Sequence, residues 1–372
     1  MTKHSAANER IKRDYFAYLK EARGHDAATI DGAAKSLARF EQSTKARDFK
    51  RFHREQAVAF KAVLANAVNA RTGERISKAT MLSTMRDLRA FFFWLAHLPG
   101  FKSHVAYADA DYFNLSDKDV AVARARREKK VPTLAQVHHV LTTMSAEAVS
   151  NRRDRALIAF AALTGARVAA LATFRLAHLD LAAGMVEHDA RTVRSKFAKT
   201  FPTWFMPIGG DALAIFTDWV GELERDLHWG RDDPLFPATQ MGLDANGGFT
   251  PVGLLRSGWR TTQPINAIFR RAFELAGLPY FNPHSVRNAL VRLGERECKG
   301  PEEFKAWSQN LGHEGVMTTF TSYGTVSRER QAEIFHKLGS GSDSAQLDLQ
   351  TFRAVIKALQ DNGVLATPAS SP

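Results

Sequence analysis

The sequence predicts a mainly α-helical protein with a small antiparallel β-sheet in its second half. Between residues 30 and 40, and again between 80 and 98, apolar residues recur every three or four positions, as on the buried face of a helix. Between residues 185 and 208 the pattern changes to short β-rich pieces, MVEH, RTVRS and TWFMPI. A chain of 372 residues is also too long for one typical domain. We therefore expect a helical domain followed by an α+β domain.

The first predicted domain covers residues 1–118. Its second helix ends at Pro99-Gly100 and contains the run FFFW at 91–94, which occupies more than one helix face. Such a helix is expected at the centre of the domain. Basic residues lie between or just before its apolar positions, where they would meet either DNA phosphates or solvent: Lys78, Arg86 and Arg89.

The positive charge of the chain is concentrated in its first third. Residues 1–130 contain 26 Lys and Arg against 15 Asp and Glu, whereas the remaining 242 residues contain 25 against 24. Residues 119–131 form a predicted linker that ends in a dense basic stretch, RARREKK. A basic domain and linker joined to a nearly neutral domain indicate a part that binds a polyanion such as DNA.

The second predicted domain covers residues 132–340. Thr133 and Gln136 have the spacing of a capping box at a helix start. Thr164-Gly165 is expected to break the helical segment 153–175, and further helices are predicted at 213–227, 265–276 and 285–297. The Gly- and Pro-rich segment 233–264 is predicted to be a long loop. Residues 341–372 form a tail with one short amphipathic helix, built on Leu349, Phe352, Ile356 and Leu359.

Several classes of protein are excluded by composition. The single cysteine, Cys298, rules out an intrachain disulfide and a zinc site built on several thiolates. No run of about 18 apolar residues is present, and the N-terminus lacks the apolar core of a signal peptide. We therefore expect no membrane association and a cytoplasmic, nucleoid-associated location.

Two segments carry candidate phosphate-binding cations. The break at Thr164-Gly165 places Arg167 near a helix start, where a guanidinium can bind two phosphate oxygens. Lys196 and Lys199 fall in the predicted strand pair, from which a lysine can reach a DNA groove and donate a proton. A surface ion pair for the arginine and simple solvation for the lysines are the alternative interpretations.

Two further segments carry candidate proton-transfer groups and a nucleophile. His284 and Arg287 lie three residues apart in the first turn of a helix, a spacing that suits a phosphate. Gly312 predicts a tight turn that presents His313, and Tyr323 follows ten residues later. A phenol with a pKa near about 10 needs neighbouring cations before it can attack a phosphate. Each segment alone is also consistent with an ordinary structural role.

The order of these candidates along the chain resembles the active site of the tyrosine recombinase (phage integrase) family: an arginine, a lysine, His-x-x-Arg, Leu-Gly-His and a tyrosine. The resemblance covers residues 153–338, and the basic helical first domain is similar to that family's core-binding domain. It implies an α+β tyrosine-recombinase catalytic domain that needs no metal and no nucleotide cofactor. It also implies these catalytic residues: Arg167, Lys199, His284, Arg287, His313 and Tyr323.

The resemblance assigns a role to each residue. Arg167 and Arg287 hold the scissile phosphate, and the two histidines transfer protons and donate hydrogen bonds. Lys199 protonates the departing 5′ oxygen, and Tyr323 forms a 3′-phosphotyrosyl link that is later reversed without ATP. The implied partners are double-stranded DNA recombination sites, further copies of the chain in a tetrameric synapse, and accessory DNA-bending proteins.

Three details depart from the family pattern. An acidic residue usually lies three positions after the first arginine, where this chain has Ala170. The stretch from Arg287 to His313 is longer than usual, and the gap to Tyr323 exceeds the commonest spacing by one residue. Lys199 is preferred over Lys196 because it lies eight residues before Pro207, as the family's lysine does before its proline.

Three other functions compete with an active recombinase. A DNA-binding protein of recombinase descent that no longer cuts DNA would explain Ala170. A type IB topoisomerase shares the tyrosine, arginine and lysine chemistry, but the histidine in Leu-Gly-His favours recombinases. A helical protein without a DNA role is the remaining alternative. The start of the chain, directly in the core-binding helices, suggests that an arm-binding domain is absent.

Overall fold

The computed structural model describes residues 5–69, 72–125, 130–195, 198–243 and 247–313. The chain divides into two compact units, residues 1–126 and 127–372. Three sequence predictions lie outside the described residues, namely the placement of Lys196, the placement of Tyr323 and the tail helix. As predicted, the described chain is mainly helical with small antiparallel sheets.

The first unit consists of helices and their connections within its described residues. Its helices are α1 (Ala6–Ala17), α2 (Ala27–Ser43), α3 (Arg54–Asn66), α4 (Lys78–His97), α5 (Tyr107–Ala110) and α6 (Asp117–Arg124). Side-chain oxygens of Ser5, Asp26, Ser77 and Ser116 accept hydrogen bonds from the first turns of α1, α2, α4 and α6.

Helix α4 provides the centre of the first core, as the FFFW run predicts. Phe91 and Phe92 are fully buried, and the ring of Phe92 stacks on Phe52 at 4.0 Å and on Phe113 at 5.1 Å between centroids. These aromatic contacts fix the helices around α4 because offset and edge-to-face ring pairs are favourable beyond the area that they bury.

Part of the predicted linker is helical. Residues 117–124 form α6, and Asp119 pairs with Lys78 at the start of α4 at 2.7 Å. Arg124 is therefore the last residue of a helix. Of the rest of the basic stretch, the structure describes Ala125 and Lys130.

The second unit is built around a buried helix. Its helices are α7 (Leu134–Thr143), α8 (Val149–Thr164), α9 (Val168–Leu171), α10 (Ala212–Gly221), α11 (Gln263–Leu275), α12 (Pro283–Glu297) and α13 (Pro301–Asn310). The predicted capping box opens α7, where Thr133 and Gln136 exchange backbone-to-side-chain hydrogen bonds of 2.9 and 3.1 Å. Every apolar residue of α8 from Ala156 to Leu163 is buried, so this helix forms the centre of the core.

A three-stranded antiparallel sheet lies in the order β1 (Leu179–Asp180), β2 (Met185–His188) and β3 (Phe201–Trp204). Glu187 pairs with Pro202 and His188 with Phe201, so β2 and β3 are connected by residues 189–200. The sequence prediction of a strand at RTVRS was wrong. The amides of Thr192 and Val193 instead donate to the carbonyl of Asp189, which turns the chain there.

The prediction of a long loop at 233–264 was also wrong. This segment contains a β-hairpin of β4 (Thr239–Leu243) and β5 (Phe249–Leu254), with an irregular register between Gln240 and Met241. The guanidinium of Arg153 on α8 holds the base of the hairpin by donating to Pro237 O at 2.8 Å and Thr239 Oγ1 at 3.0 Å. Within the described ranges, no helix is long and apolar enough to cross a membrane.

Candidate active site

The predicted break after α8 forms a tight corner at Gly165. This residue has φ +61°, a conformation that favours glycine, and a Cβ there would lie 2.8 Å from Leu311 Cδ2 and 3.0 Å from Leu290 Cδ1. Arg167 follows two residues later in extended conformation, half-buried, and caps the start of the short helix α9. The close approach of three segments at Gly165 therefore places Arg167 beside α12 and the chain that follows α13.

Arg287 lies at the centre of the site. It is 3% exposed, and its guanidinium donates to Gly165 O at 2.8 Å, to Leu311 O, and to His313 Nε2 at 2.8 Å. These contacts join α12 to the corner after α8 and to the end of α13. A buried guanidinium with several acceptors is fixed in orientation, as a phosphate-binding group needs to be.

His313 is buried against Arg287 by a turn that depends on Gly312. Gly312 has φ +67°, and a Cβ there would clash with the ring of Phe201. The backbone N–H of His313 donates to Ser308 O at 3.1 Å. Because a guanidinium can only donate, Nε2 of His313 accepts, and the proton of the neutral ring is on Nδ1. The tight turn expected from the glycine is present.

The electrostatic surroundings of His313 bring the other predicted cations together. Burial and, in decreasing order, the charges of Arg287, Arg167, Lys199 and His284 together lower the pKa of His313 to about 3. His313 is therefore neutral at physiological pH. Four of the predicted site residues thus act on a fifth, His313, within a single region of the second unit.

His284 and Arg287 differ sharply in exposure. Pro283 begins α12 and Asn282 caps it by accepting from the amide of Ser285 at 2.9 Å. His284 is exposed and Arg287 is buried, so the first turn of α12 presents the imidazole to solvent and the guanidinium to the core. The imidazole is consequently accessible to a ligand that approaches the surface of the site.

Lys199 is held at the end of the β2–β3 connection. Its backbone N–H donates to Ser195 Oγ at 2.8 Å, and the same hydroxyl donates to Lys199 O at 2.9 Å. Lys199 is half-buried and lines an open groove with His313, Trp204 and Asn310. The structure therefore places this lysine next to His313, two residues before β3 rather than at a free hairpin tip.

Asn310 joins the groove wall to the sheet, a role that the sequence reasoning missed. Its side-chain Oδ1 accepts from Trp204 N at 2.6 Å and its Nδ2 donates to Trp204 O at 2.9 Å. Its backbone carbonyl accepts from Thr203 Oγ1 at 2.9 Å. These contacts fix the end of α13, and hence His313, relative to β3.

His188 is a second residue that the sequence reasoning missed. It ends β2, is 4% exposed, and lines a small cavity with Arg167, Ala170 and Arg287. Burial, followed by the charges of Arg287 and Arg167, lowers its pKa to about 3. The sequence does not predict that this histidine is buried. Its burial depends on the pairing of β2 with β3, and a single histidine at the end of a short β-rich piece does not specify that pairing.

Ala170, where the family pattern has an acidic residue, is 1% exposed and faces the same cavity. None of the described residues that line the cavity is acidic. Across the described ranges, no three His, Cys, Asp or Glu side chains are grouped as metal ligands.

Comparisons with known proteins give both sequence relatives and structural matches. A tyrosine recombinase XerC of Pelobacter propionicus is 22% identical over 276 residues, which cover 72% of this chain and 76% of that protein. A lambda integrase dimer bound to a COC' core site matches with a TM-score of 0.57 at 13% identity, covering 91% of this chain and 99% of that one. No protein-family model matches the chain.

A second solved structure agrees with the first. The XerH site-specific recombinase bound to a palindromic difH substrate matches with a TM-score of 0.56 at 18% identity, covering 89% of this chain and 84% of that one. At such identities, the two structural matches establish a shared fold.

Proposed function

We propose that this chain, which is related in sequence to tyrosine recombinases and has their fold, is a site-specific DNA recombinase that cleaves and rejoins DNA through Tyr323. The observation that carries the proposal is the set of basic side chains around His313: two arginines, a lysine and a histidine. Arg287 contacts this buried imidazole at 2.8 Å, and Arg167, Lys199 and His284 all lower its pKa. Such a concentration of positive charge suits the phosphorane-like transition state of phosphoryl transfer.

In the proposed cleavage step, the phenolic oxygen of Tyr323 attacks the scissile phosphorus. The bond from phosphorus to the 5′ oxygen breaks, and Lys199 gives that oxygen its proton. Arg167 and Arg287 neutralise the charge that grows on the non-bridging oxygens. Tyr323 lies ten positions after His313, and an extended chain of ten residues spans at most about 35 Å, so the tyrosine has enough chain to reach the basic side chains.

The two histidines take different parts in this proposal. His313 is neutral, and its Nε2 lone pair points at Arg287, so it orients the guanidinium and donates from Nδ1. His284 is exposed on the first turn of α12 and is therefore the better placed group to accept the proton of the tyrosine. Religation reverses these steps, and the phosphotyrosyl bond conserves the energy of the original phosphodiester.

The first unit is proposed to bind the duplex through its positive charge. Two of the basic residues that could contact phosphates already form ion pairs, Lys78 with Asp119 at 2.7 Å and Arg89 with Asp111 at 2.8 Å. Exposed pairs of this kind contribute only about 0–1 kcal/mol, so DNA phosphates can replace the acidic partners at little cost. Double-stranded recombination sites, a tetrameric synapse and accessory DNA-bending proteins are the proposed partners, as the resemblance in the sequence implies.

The proposal is tested with nicked suicide DNA that carries a candidate recombination site. Full-length protein is incubated with the DNA and run on a denaturing gel, where wild type should give a covalent protein–DNA band. Tyr323→Phe should abolish the band. Tyr107→Phe, which alters an exposed tyrosine of the first unit, is the matched control and should retain it. A band that persists in Tyr323→Phe would exclude this tyrosine as the nucleophile.

A DNA-binding protein that no longer cuts is the second candidate, and Ala170 is the observation that favours it. Without a carboxylate in the cavity beside Arg167, the positioning of that arginine depends on other groups. This function predicts salt-sensitive binding of the same DNA and no covalent band from wild type on its own site. Ala170→Asp would then be expected to restore adduct formation.

A further inference from the structure

His188 is a buried polar residue with no part in the mechanism above. Its ring stacks on Phe201 at 4.2 Å with 9° between the planes, and the edge of Phe174 packs against it at 4.9 Å. Its Nδ1 atom is buried and has no hydrogen-bond partner within the described protein. A buried polar atom that lacks a partner destabilises a fold, so such an atom beside a functional site calls for a ligand.

The cavity beside His188 has room for one small molecule. Its volume is about 10 Å³, close to the minimum for one water, and both Arg167 and Arg287 line it. Water is the ligand of matching size, and the polar residues that line the cavity supply the two or more partners that a buried water needs.

The hydrogen-bond polarity of the cavity gives such a water one orientation. Three hydroxyls line the cavity, and each donates its proton elsewhere: Thr164 to Phe160 O, Thr203 to Asn310 O and Ser195 to Lys199 O. Those hydroxyls can therefore only accept, and the guanidinium groups can only donate. A water between them accepts a hydrogen bond from an arginine and keeps an O–H group that it can donate to His188.

We propose that His188 is a positioning residue for the arginine pair, because its Nδ1 accepts a hydrogen bond from one water that in turn accepts from the guanidinium of Arg167 or Arg287. The inference rests on the proposed recombinase function, since it assigns the arginines to the scissile phosphate. His188 thereby supplies a neutral acceptor in a cavity to which Ala170 contributes only a methyl group.

The charge state of His188 is consistent with this role. Burial and the neighbouring arginines keep its pKa near about 3, so the ring is neutral throughout the physiological range. A neutral imidazole has one acceptor nitrogen, whereas a protonated ring has none. The two arginines therefore favour the one protonation state in which His188 can accept.

The test compares two substitutions of His188 in the full-length protein. His188→Phe keeps a ring against Phe201 but removes both nitrogens, and His188→Asn places an amide near the position of Nδ1. The measurements are the single-turnover rate of adduct formation at saturating suicide DNA, the DNA dissociation constant and the melting temperature. Phe201→Leu, which removes the stacking partner and keeps the imidazole, is the packing control.

We expect His188→Phe to slow adduct formation about 10- to 100-fold, the equivalent of one hydrogen bond to a charged group. The DNA dissociation constant should stay within about twofold, and His188→Asn should recover most of the rate. A wild-type rate in His188→Phe would overturn the inference. So would a rate that follows the melting temperature across all three variants, because that result would mean His188 only packs.

Failure of the proposed function is distinguishable from failure of this inference. A wild type that forms no adduct on its cognate site counts against recombinase activity. The role of His188 is then decided by NMR, from the hydrogen-exchange rates of the Arg167 and Arg287 side chains. Faster exchange in His188→Phe than in wild type and His188→Asn supports the water bridge, and equal exchange in all three overturns it.

Discussion

Lowering the pH from 7 to 5 should destabilise the second unit through its two buried histidines. His188 and His313 each have a folded-state pKa of about 3, against an ordinary value near about 6.5. Between these values the unfolded chain binds more protons than the folded chain, so acid favours unfolding. The stabilising contribution is therefore complete above pH 6.5 and is lost as the pH falls toward 3.

The expected size follows from the linkage relation. A histidine with these two pKa values contributes about 2 kcal/mol less to the free energy of unfolding at pH 5 than at pH 7. His188 and His313 together give about 4 kcal/mol, a large part of the roughly 5–15 kcal/mol that stabilises a typical domain. Burial raises the pKa of Asp154 and of Glu295, so these carboxyl groups act in the opposite direction in acid.

A matched variant separates the histidines from the carboxyl groups. Urea unfolding of full-length protein is followed by tryptophan fluorescence at pH 7, 6 and 5, since five of the six tryptophans lie beyond residue 200 in the second unit. His188→Phe should reduce the loss of stability between pH 7 and 5 by about 2 kcal/mol relative to wild type. An identical pH dependence in the two proteins would refute the conclusion that His188 is held neutral by burial and by the arginines.

Three further substitutions test the construction of the site. Gly165→Ala should lower the free energy of unfolding by about 2–4 kcal/mol, because it places a side chain on a left-handed backbone and its Cβ clashes with Leu311. Thermal melting measures the loss, and an unchanged melting temperature would contradict the close packing. Arg287→Met should lower the free energy of unfolding by about 2–5 kcal/mol, since two buried carbonyls lose their donor, and it should abolish adduct formation. Urea unfolding measures the first effect and the suicide-substrate gel the second. A variant that still forms the adduct would exclude Arg287 from the mechanism. Asn310→Ala should lower the free energy of unfolding by about 1–2 kcal/mol and slow cleavage, because both side-chain hydrogen bonds to Trp204 are lost. Full activity would show that this contact does not position His313.

Local features of the sequence identified much of the fold and of the candidate site. Gly165 is predicted to break a helix and Gly312 to form a tight turn, and both have a positive φ next to a close packing contact. Thr133 and Gln136 form the expected capping box. These predictions succeed because turns and helix caps depend on residues within about four positions of one another.

One failed prediction involves a partner that is distant in the chain, and the other involves a local turn in place of a strand. Thr239–Leu243 and Phe249–Leu254 pair as a hairpin although the segment is rich in Gly and Pro, and Arg153 on α8 holds the hairpin at its base. The segment RTVRS looks β-rich but turns on Asp189. Strand pairing depends on the register with a second segment, which no local pattern specifies.

Taken alone, the sequence determined the fold class, the concentration of positive charge in the first third, and the order of candidate residues from Arg167 to Tyr323. Only the tertiary structure decided that Arg287 is buried while His284 is exposed, and that His188 faces the same cavity as the arginines. The physical reason is that burial and electrostatic environment are set by segments far apart in the chain. A residue's type fixes which chemistry is available to it, and its neighbours in space fix its charge state and orientation.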